Sequence, residues 1–335
     1  MTTLQSECWI LTGYPEGLPD DSTFRRERRA VPAPGPGEAL LETLYVSVDP
    51  YMRGRMSPAK SYAAPLQPGD VISGEAVARV VESREPAFAA GDLVLAPLGW
   101  RSAGVLPGSS LQKLALPEAK ASLALGALGM PGVTAYFGLL DVGRPKPGET
   151  VLVSGAAGAV GSLAGQIARL MGCRAVGLAG SDEKVRWLTE ELGFDAALNY
   201  KTHEDLREAL APLCRDGVDV YFDNVGGAVS DAALALINLR ARVVICGQIA
   251  QYNAKNPPRG PRPFAALLVR RARAEGFIVV DFKERYPEAQ RRLAAWVESG
   301  RLRVRETVVE GFENVPRAFL GLFSGANTGK MVVRL

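Results

Sequence analysis

The segment Val151-Leu152-Val153-Ser154 runs into Gly155-Ala156-Ala157-Gly158-Ala159-Val160-Gly161, and a stretch of helical length follows. Glycines in such a turn let the backbone bend tightly and approach a pyrophosphate with no Cβ in the way. The helix start then offers free N–H groups and a positive dipole end to that charge. In a chain with 36 glycines the pattern alone says little; its place after a strand and before a helix gives it weight. About 20 residues further on, a site for unphosphorylated ribose usually carries an acid. Here the sequence reads Gly180-Ser181-Asp182-Glu183-Lys184. The strand tip is small and neutral, and Lys184, one helical turn later, can neutralise a 2′-phosphate. Asp182 and Glu183 fit the ordinary acidic start of a helix. The residues therefore favour NADP(H) over NAD(H).

Other chemistries lack their parts. The chain has a single histidine, His203, and four cysteines, Cys8, Cys173, Cys214 and Cys246, with no Cys-x-x-Cys pair. Neither a catalytic nor a structural zinc site can be assembled from that set, and a Ser-His-Asp hydrolase fails on the same shortage. His203, beside Glu204 in a polar stretch, reads as a surface residue. Cys246, at the end of a strand, reads as a small buried hydrophobe rather than a nucleophile.

With 335 residues, 47% hydrophobic and 22% charged, the chain is sized for two domains with real cores. Its net charge of +3 is small and scattered, which argues against nucleic acid. The basic runs Arg25-Arg26-Glu27-Arg28-Arg29 and Arg270-Arg271-Ala272-Arg273 read as solvated faces. Sparse cysteines suit a reducing cytoplasm, and Met1-Thr2-Thr3-Leu4-Gln5-Ser6-Glu7 has neither the basic nor the apolar region of a leader. Residues 121–140 carry no charge, but Pro131 and several glycines make this a buried segment at a domain junction or subunit contact rather than a membrane span.

The elements that must position the glycine turn follow from periodicity. The first 120 or so residues read as short strands between Pro/Gly turns. From Thr150 onward, strand candidates Val151–Ser154, Ala175–Ala179, Ala196–Asn199, Asp219–Asp223, Arg242–Gly247 and Phe277–Val280 alternate with helix candidates Val160–Met171, Glu183–Leu192 and Asp205–Cys214. A last helix covers about Pro287 to Ser299, and Thr307–Leu335 returns to strand-like runs. The expected fold class is α/β: a doubly wound parallel sheet of Rossmann type, residues 127–303, inserted into a β-rich domain of residues 1–126 and 304–335.

Further motifs carry a family resemblance: Asp49-Pro50-Tyr51-Met52-Arg53, Gly129-Met130-Pro131-Gly132-Val133-Thr134-Ala135-Tyr136-Phe137-Gly138, Asn199-Tyr200-Lys201, Tyr221-Phe222-Asp223-Asn224-Val225-Gly226-Gly227 and Glu310-Gly311-Phe312-Glu313-Asn314. From about Asp49 to the C-terminus the chain resembles the zinc-independent medium-chain reductases, in the branch of prostaglandin reductases, bacterial curcumin reductases and plant alkenal double-bond reductases. The segment where zinc enzymes of this fold carry Gly-His-Glu reads Ser73-Gly74-Glu75. The resemblance implies a GroES-like β-rich domain, a homodimer, NADP(H), and metal-free reduction of the C=C bond of small enones and enals. It implies that Gly158, Ala159, Val160 and Gly161 hold the pyrophosphate and that Lys184 and Tyr200 contact the 2′-phosphate end. Asn224, Cys246, Gly247, Tyr252, Phe277, Ile278, Val279 and Asn327 would bind the remainder of the cofactor. Tyr252 would be the catalytic residue, orienting the nicotinamide ribose or the substrate carbonyl or donating the proton, and Tyr51 would line the substrate pocket. Val280 and Asp281 stand where the mammalian branch carries an aromatic and a basic residue, so prostaglandins do not follow as substrates. A zinc-free quinone reductase and a non-catalytic NADPH-binding protein stay open as alternatives.

Overall fold

A computed structural model describes residues 4–256 and 259–335. The first three residues of the segment searched for a leader lie outside the described residues. The chain divides into two compact units. One gathers the chain through Leu125 with Glu306–Asn327 and Met331–Leu335; the other is Gly126–Arg305 with Thr328–Lys330. The division falls inside the uncharged stretch 121–140. Among the described residues no single helix is long and apolar enough to cross a membrane.

The first unit opens with β1 (Leu4–Leu11), paired antiparallel with β2 (Phe24–Val31). Four arginines of the first basic run lie exposed on β2, with Glu7 and Glu27 as ion-pair partners, so the run is a solvated face. β3 (Glu38–Ser47), the single turn α1 (Met52–Arg55), β4 (Ala76–Ser83), β5 (Leu93–Ala96), β6 (Ala103–Pro107) and β7 (Gln112–Lys113) follow.

The second unit begins with α2 (Met130–Phe137). It continues as β8 (Thr150–Val153), α3 (Gly161–Leu170), β9 (Arg174–Ala179), α4 (Asp182–Arg186), β10 (Ala196–Asn199), α5 (Leu206–Leu210) and β11 (Val218–Asp223). α6 (Gly227–Leu234), β12 (Ile237–Ile245), α7 (Phe264–Arg270), β13 (Arg273–Gly276) and α8 (Tyr286–Glu298) complete it. The strands form one parallel sheet in the order β10-β9-β8-β11-β12-β13. Chain order thus proceeds one way from β8 and the opposite way from β11, the doubly wound arrangement whose ligand crevice opens between those two strands. Central strands are covered on both faces, which is why β8 is buried at every position. α3 turns Leu163, Ala164, Ile167 and Ala168 inward at helical spacing. Gly165 lets Phe194 lie against α3, since a Cβ there would meet the ring at 1.9 Å.

The chain then returns to the first unit through β14 (Glu306–Glu310), α9 (Val315–Ser324) and β15 (Lys330–Arg334), giving a sheet ordered β14-β15-β3-β4-β5-β7 with β6 on β3. Phe24, Trp100 and Phe319 pack together in its core, with the Trp100 and Phe319 rings 5.6 Å apart.

Several sequence expectations need correction. The last parallel strand is Arg273–Gly276, not Phe277–Val280. Its pairing with β12 ends at Gly276, and Phe277 leaves the sheet to pack against Phe282 and the Gly138 backbone. A polar, exposed strand at the sheet edge is the usual way to keep an edge soluble. The helix expected over 183–192 is present, as α4 continued by wider helical turns over Trp187–Glu191, whereas the one expected over 205–214 is shorter, since α5 ends at Leu210. The tail is not all strand. Val315, Ala318, Phe319 and Leu322 recur at helical spacing and form the buried side of α9, which Gly325 closes in the left-handed region. Thr328–Lys330 cluster with the second unit, because the Gly329 N–H bonds to Ala157.

Candidate active site

The glycine turn is built by exclusion of side chains. Gly155 has φ +58, and a Cβ on Gly161 would stand 2.3 Å from the Gly155 carbonyl oxygen. Gly158 N–H bonds back to the Gly155 carbonyl at 3.0 Å. Gly158, Ala159 and Val160 are partly accessible, and no side chain caps the start of α3 at Val160. The start of that ten-residue helix therefore has no side-chain partner for its first N–H groups, the kind of terminus that suits an anion. A residue not singled out from sequence completes the turn. Gly329, at φ +68, donates its N–H to the Ala157 carbonyl at 2.8 Å and bridges in parallel to Gly158.

At the ends of β9 and β10, Ser181 Oγ caps α4 by accepting the Lys184 N–H at 3.3 Å. A Cβ on Gly180 would lie 3.1 Å from the Tyr200 hydroxyl and 3.2 Å from Lys201 Cε, so both side chains converge on this residue. Burial, followed by the charge of Lys201, lowers the pKa of the Lys184 ammonium. The Asp182 carboxylate accepts from Asn199 Nδ2 at 2.8 Å. A small neutral notch bordered by Tyr200 and Lys201, with Lys184 within reach of the Lys201 charge and Asp182 engaged by Asn199, suits a 2′-phosphate.

At the β8/β11 crevice the organiser is Asp223, 3% exposed. Its Oδ1 accepts from Ser154 Oγ (2.9 Å), the Tyr221 hydroxyl (2.8 Å) and the Val225 and Gly226 N–H groups (3.0 Å each). Its Oδ2 accepts from Ser230 Oγ (2.6 Å) and Gln248 Nε2 (2.8 Å). Burial pushes the Tyr221 phenol far up, so it stays protonated as a donor. Asn224 is held from both ends: its N–H donates to Ser154 Oγ at 2.9 Å and its Nδ2 to the Ser154 carbonyl at 2.7 Å. Cys246 and Gly247 donate their N–H groups to the Asp223 carbonyl. Tyr252 sits on the turn after Ile249–Gln251, where its hydroxyl accepts the Gln248 N–H at 3.3 Å beside Gly247.

Phe277 wedges its ring against Gly138 and Phe222, which fixes where Ile278 and Val279 leave the sheet edge. The sequence-selected residues of the second unit thus follow the ends of the six strands, most of them on turns, with Gly161 and Lys184 in the first turns of α3 and α4. Tyr51 and Asn327 belong to the first unit. Tyr51 precedes α1 beneath the Arg55 guanidinium, 5.1 Å from its ring centre. Burial first, then Asp49 and Glu75, pushes its phenol well above the ordinary range. Asn327 lies between α9 and β15. His203 is exposed. Among the described residues no three His, Cys, Asp or Glu side chains gather as a metal-binding group.

Burial pushes the Cys173 and Cys214 thiols from 9.0 up to about 11 and that of Cys246 up to about 12. Cys246 therefore carries no thiolate at neutral pH, as expected of a packing residue. The folded state resists a deprotonation that the unfolded state undergoes near the ordinary value. This stabilisation is complete below about pH 9 and is lost as pH rises through the folded-state values. Melting temperature should fall above that pH, and fall less steeply when all three thiols are replaced by alanine. Parallel curves for the two proteins would contradict this.

A doubly wound sheet with its glycine turn at the first strand and a cationic notch at the second defines a dinucleotide-binding oxidoreductase fold. Residues 7–114 match the family described as the N-terminal domain of oxidoreductase, and residues 159–295 that described as zinc-binding dehydrogenase. The chain is 46% identical to the NADPH-dependent curcumin reductase of Escherichia coli, over 98% of this chain and 96% of that protein. It is 48% identical to rat (Rattus norvegicus) prostaglandin reductase 1, over 99% of both. The crystal structure of CurA from Vibrio vulnificus in complex with NADPH superposes with a TM-score of 0.94 at 44% identity, covering 98% of each chain. The chain belongs to the zinc-independent medium-chain dehydrogenase/reductase family, in the branch that holds the prostaglandin and curcumin reductases.

Proposed function

We propose that this protein reduces the C=C bond of α,β-unsaturated ketones and aldehydes with NADPH. The observation that carries the cofactor is the Gly180 notch, where Tyr200 and Lys201 meet, Lys184 feels the Lys201 charge, and Asp182 is tied to Asn199. Membership of the family supports the reaction. When bound, the nicotinamide supplies a hydride to the β-carbon of the substrate; the electron pair of the C=C bond moves toward the carbonyl oxygen, and a proton then reaches the α-carbon. The protein's task is to align the partners and give a hydrogen bond to that oxygen. Neutral tyrosines can do this. Tyr51 keeps its proton at every physiological pH, and Tyr252 is anchored on Gly247–Gln248 beside the crevice. Gly158 to Gly161 hold the pyrophosphate, Asn224, Cys246 and Gly247 line the crevice, and the Phe277–Val279 backbone completes the second unit's contacts with the cofactor.

An acceptor panel tests the reading: a medium-chain enone, an enal, a quinone and a saturated ketone, each with NADPH and NADH. Enone and enal turnover confined to NADPH is expected; turnover of the quinone alone would overturn it. Lys184→Ala should raise the NADPH KM on the order of tenfold and leave the NADH KM unchanged. An equal rise for both would sink the assignment of Lys184 to the phosphate.

The small-molecule reductase is best read as a cytoplasmic homodimer. Four free cysteines suit a reducing compartment. β13 is an exposed edge strand, and α7 next to it exposes Phe264, Leu268 and Val269 by 74%, 77% and 72%. Antiparallel pairing of β13 with its copy would set Arg273 across from Glu275 and cover that patch. Light scattering should give twice the chain mass; a monomer at micromolar concentration would refute the dimer.

A further inference from the structure

The turn after β10 does more than supply Tyr200. Asn199 Oδ1 accepts the Lys201 N–H at 3.1 Å, and the Asn199 carbonyl accepts from Thr202 Oγ1 at 3.0 Å, so Asn199 folds Tyr200–Thr202 into a tight turn. That turn aims the Lys201 stem at Gly180, beside the Tyr200 hydroxyl. The same asparagine uses its Nδ2 to tie down the Asp182 carboxylate at 2.8 Å. Lys201, at the notch, thereby comes close enough to Lys184 for its charge, after burial, to disfavour the Lys184 ammonium. Two like charges held together are unfavourable until a group of opposite charge lies between them, and a phosphate dianion has the charge for both.

We propose that Lys201 is the second cation for the cofactor's 2′-phosphate and that Asn199 is a positioning residue, which sets Lys201 and keeps the Asp182 carboxylate out of the notch. The proposal rests on the reading of this notch as the phosphate end of the cofactor site. It makes discrimination against NADH a property of three side chains rather than of Lys184 alone. A cofactor without the phosphate leaves the lysine–lysine repulsion in place, and Asn199 engages an acid that could otherwise bond a free ribose hydroxyl.

The test is calorimetric binding of 2′,5′-ADP and of ADP to the whole protein, which needs no turnover. Lys201→Met should weaken 2′,5′-ADP on the order of tenfold and leave ADP unchanged, and Lys201→Arg should recover most of the loss. Asn199→Ala should weaken 2′,5′-ADP while ADP holds or tightens, and adding Asp182→Ala should restore part of the discrimination. If wild type separates the two ligands and Lys201→Met weakens neither or both alike, Lys201 is not a phosphate ligand. If wild type binds the two ligands equally, the reading of the notch itself fails and the proposal falls with it.

Discussion

Asp223→Ala should destabilise the protein by about 3–5 kcal/mol and abolish measurable NADPH binding, because it removes the acceptor for six donors at once. Each buried donor left without a partner costs about 1–3 kcal/mol, and relaxation keeps the sum below simple addition. The effect reaches the cofactor site because the same carboxylate fixes Ser154 after β8, the Val225–Gly226 turn after β11 and Gln248 after β12. Asn224 rides on Ser154, and Tyr252 on Gln248. Asp223→Asn keeps one acceptor but sets an amide against its former donors, so it should fall between wild type and alanine. Thermal melting and NADPH fluorescence titration read both effects. A well-folded Asp223→Ala protein with wild-type affinity would show that the six bonds do not organise the site.

Gly329→Ala should lower NADPH affinity by on the order of tenfold or more, although Gly329 lies some 170 residues beyond the glycine turn it supports. Its φ of +68 strains any side chain, by about 1–2 kcal/mol. The added Cβ would also stand 1.9 Å from the Arg305 carbonyl oxygen, which is backbone and cannot swing aside. The chain must move, and the Gly329 N–H bond to Ala157 moves with it. Gly148→Ala is the control. It has the same kind of backbone at φ +86 but nothing within 4 Å of the added atom, so it should cost stability and leave affinity intact. Equal behaviour of the two variants would mean that strain alone, and not the link to the turn, governs binding.

The sequence made the doubly wound sheet legible because its central strands are continuous apolar runs between helical segments. The glycine turn was legible because a close approach of backbone to backbone demands glycine. The edge strand was misplaced for a physical reason: Phe277–Val280 has the composition of a strand, while the true strand, Arg273–Gly276, is polar because it faces solvent. α9 was present in the spacing of Val315, Ala318, Phe319 and Leu322 but hidden by the strand-like residues around it. Within the site, Lys184, Tyr200 and Asn224 follow from motif position. Asp223, Gln248 and Gly329 do not. Their importance lies in contacts between segments far apart in the chain, and an aspartate ending a strand or a glycine near the C-terminus carries no local sign of them. Lys201 stood next to a recognised residue, yet only the turn set by Asn199 shows where it points.

The central claim is hydride delivery to the β-carbon of a conjugated carbonyl. The most direct measurement is nuclear magnetic resonance of the product formed from an enone and NADPH carrying deuterium in both positions at nicotinamide C4. The expected product is the saturated ketone with one deuterium on its β-carbon and a solvent-derived hydrogen on its α-carbon. An allylic alcohol with deuterium on the former carbonyl carbon would contradict the claim and make the protein a carbonyl reductase instead.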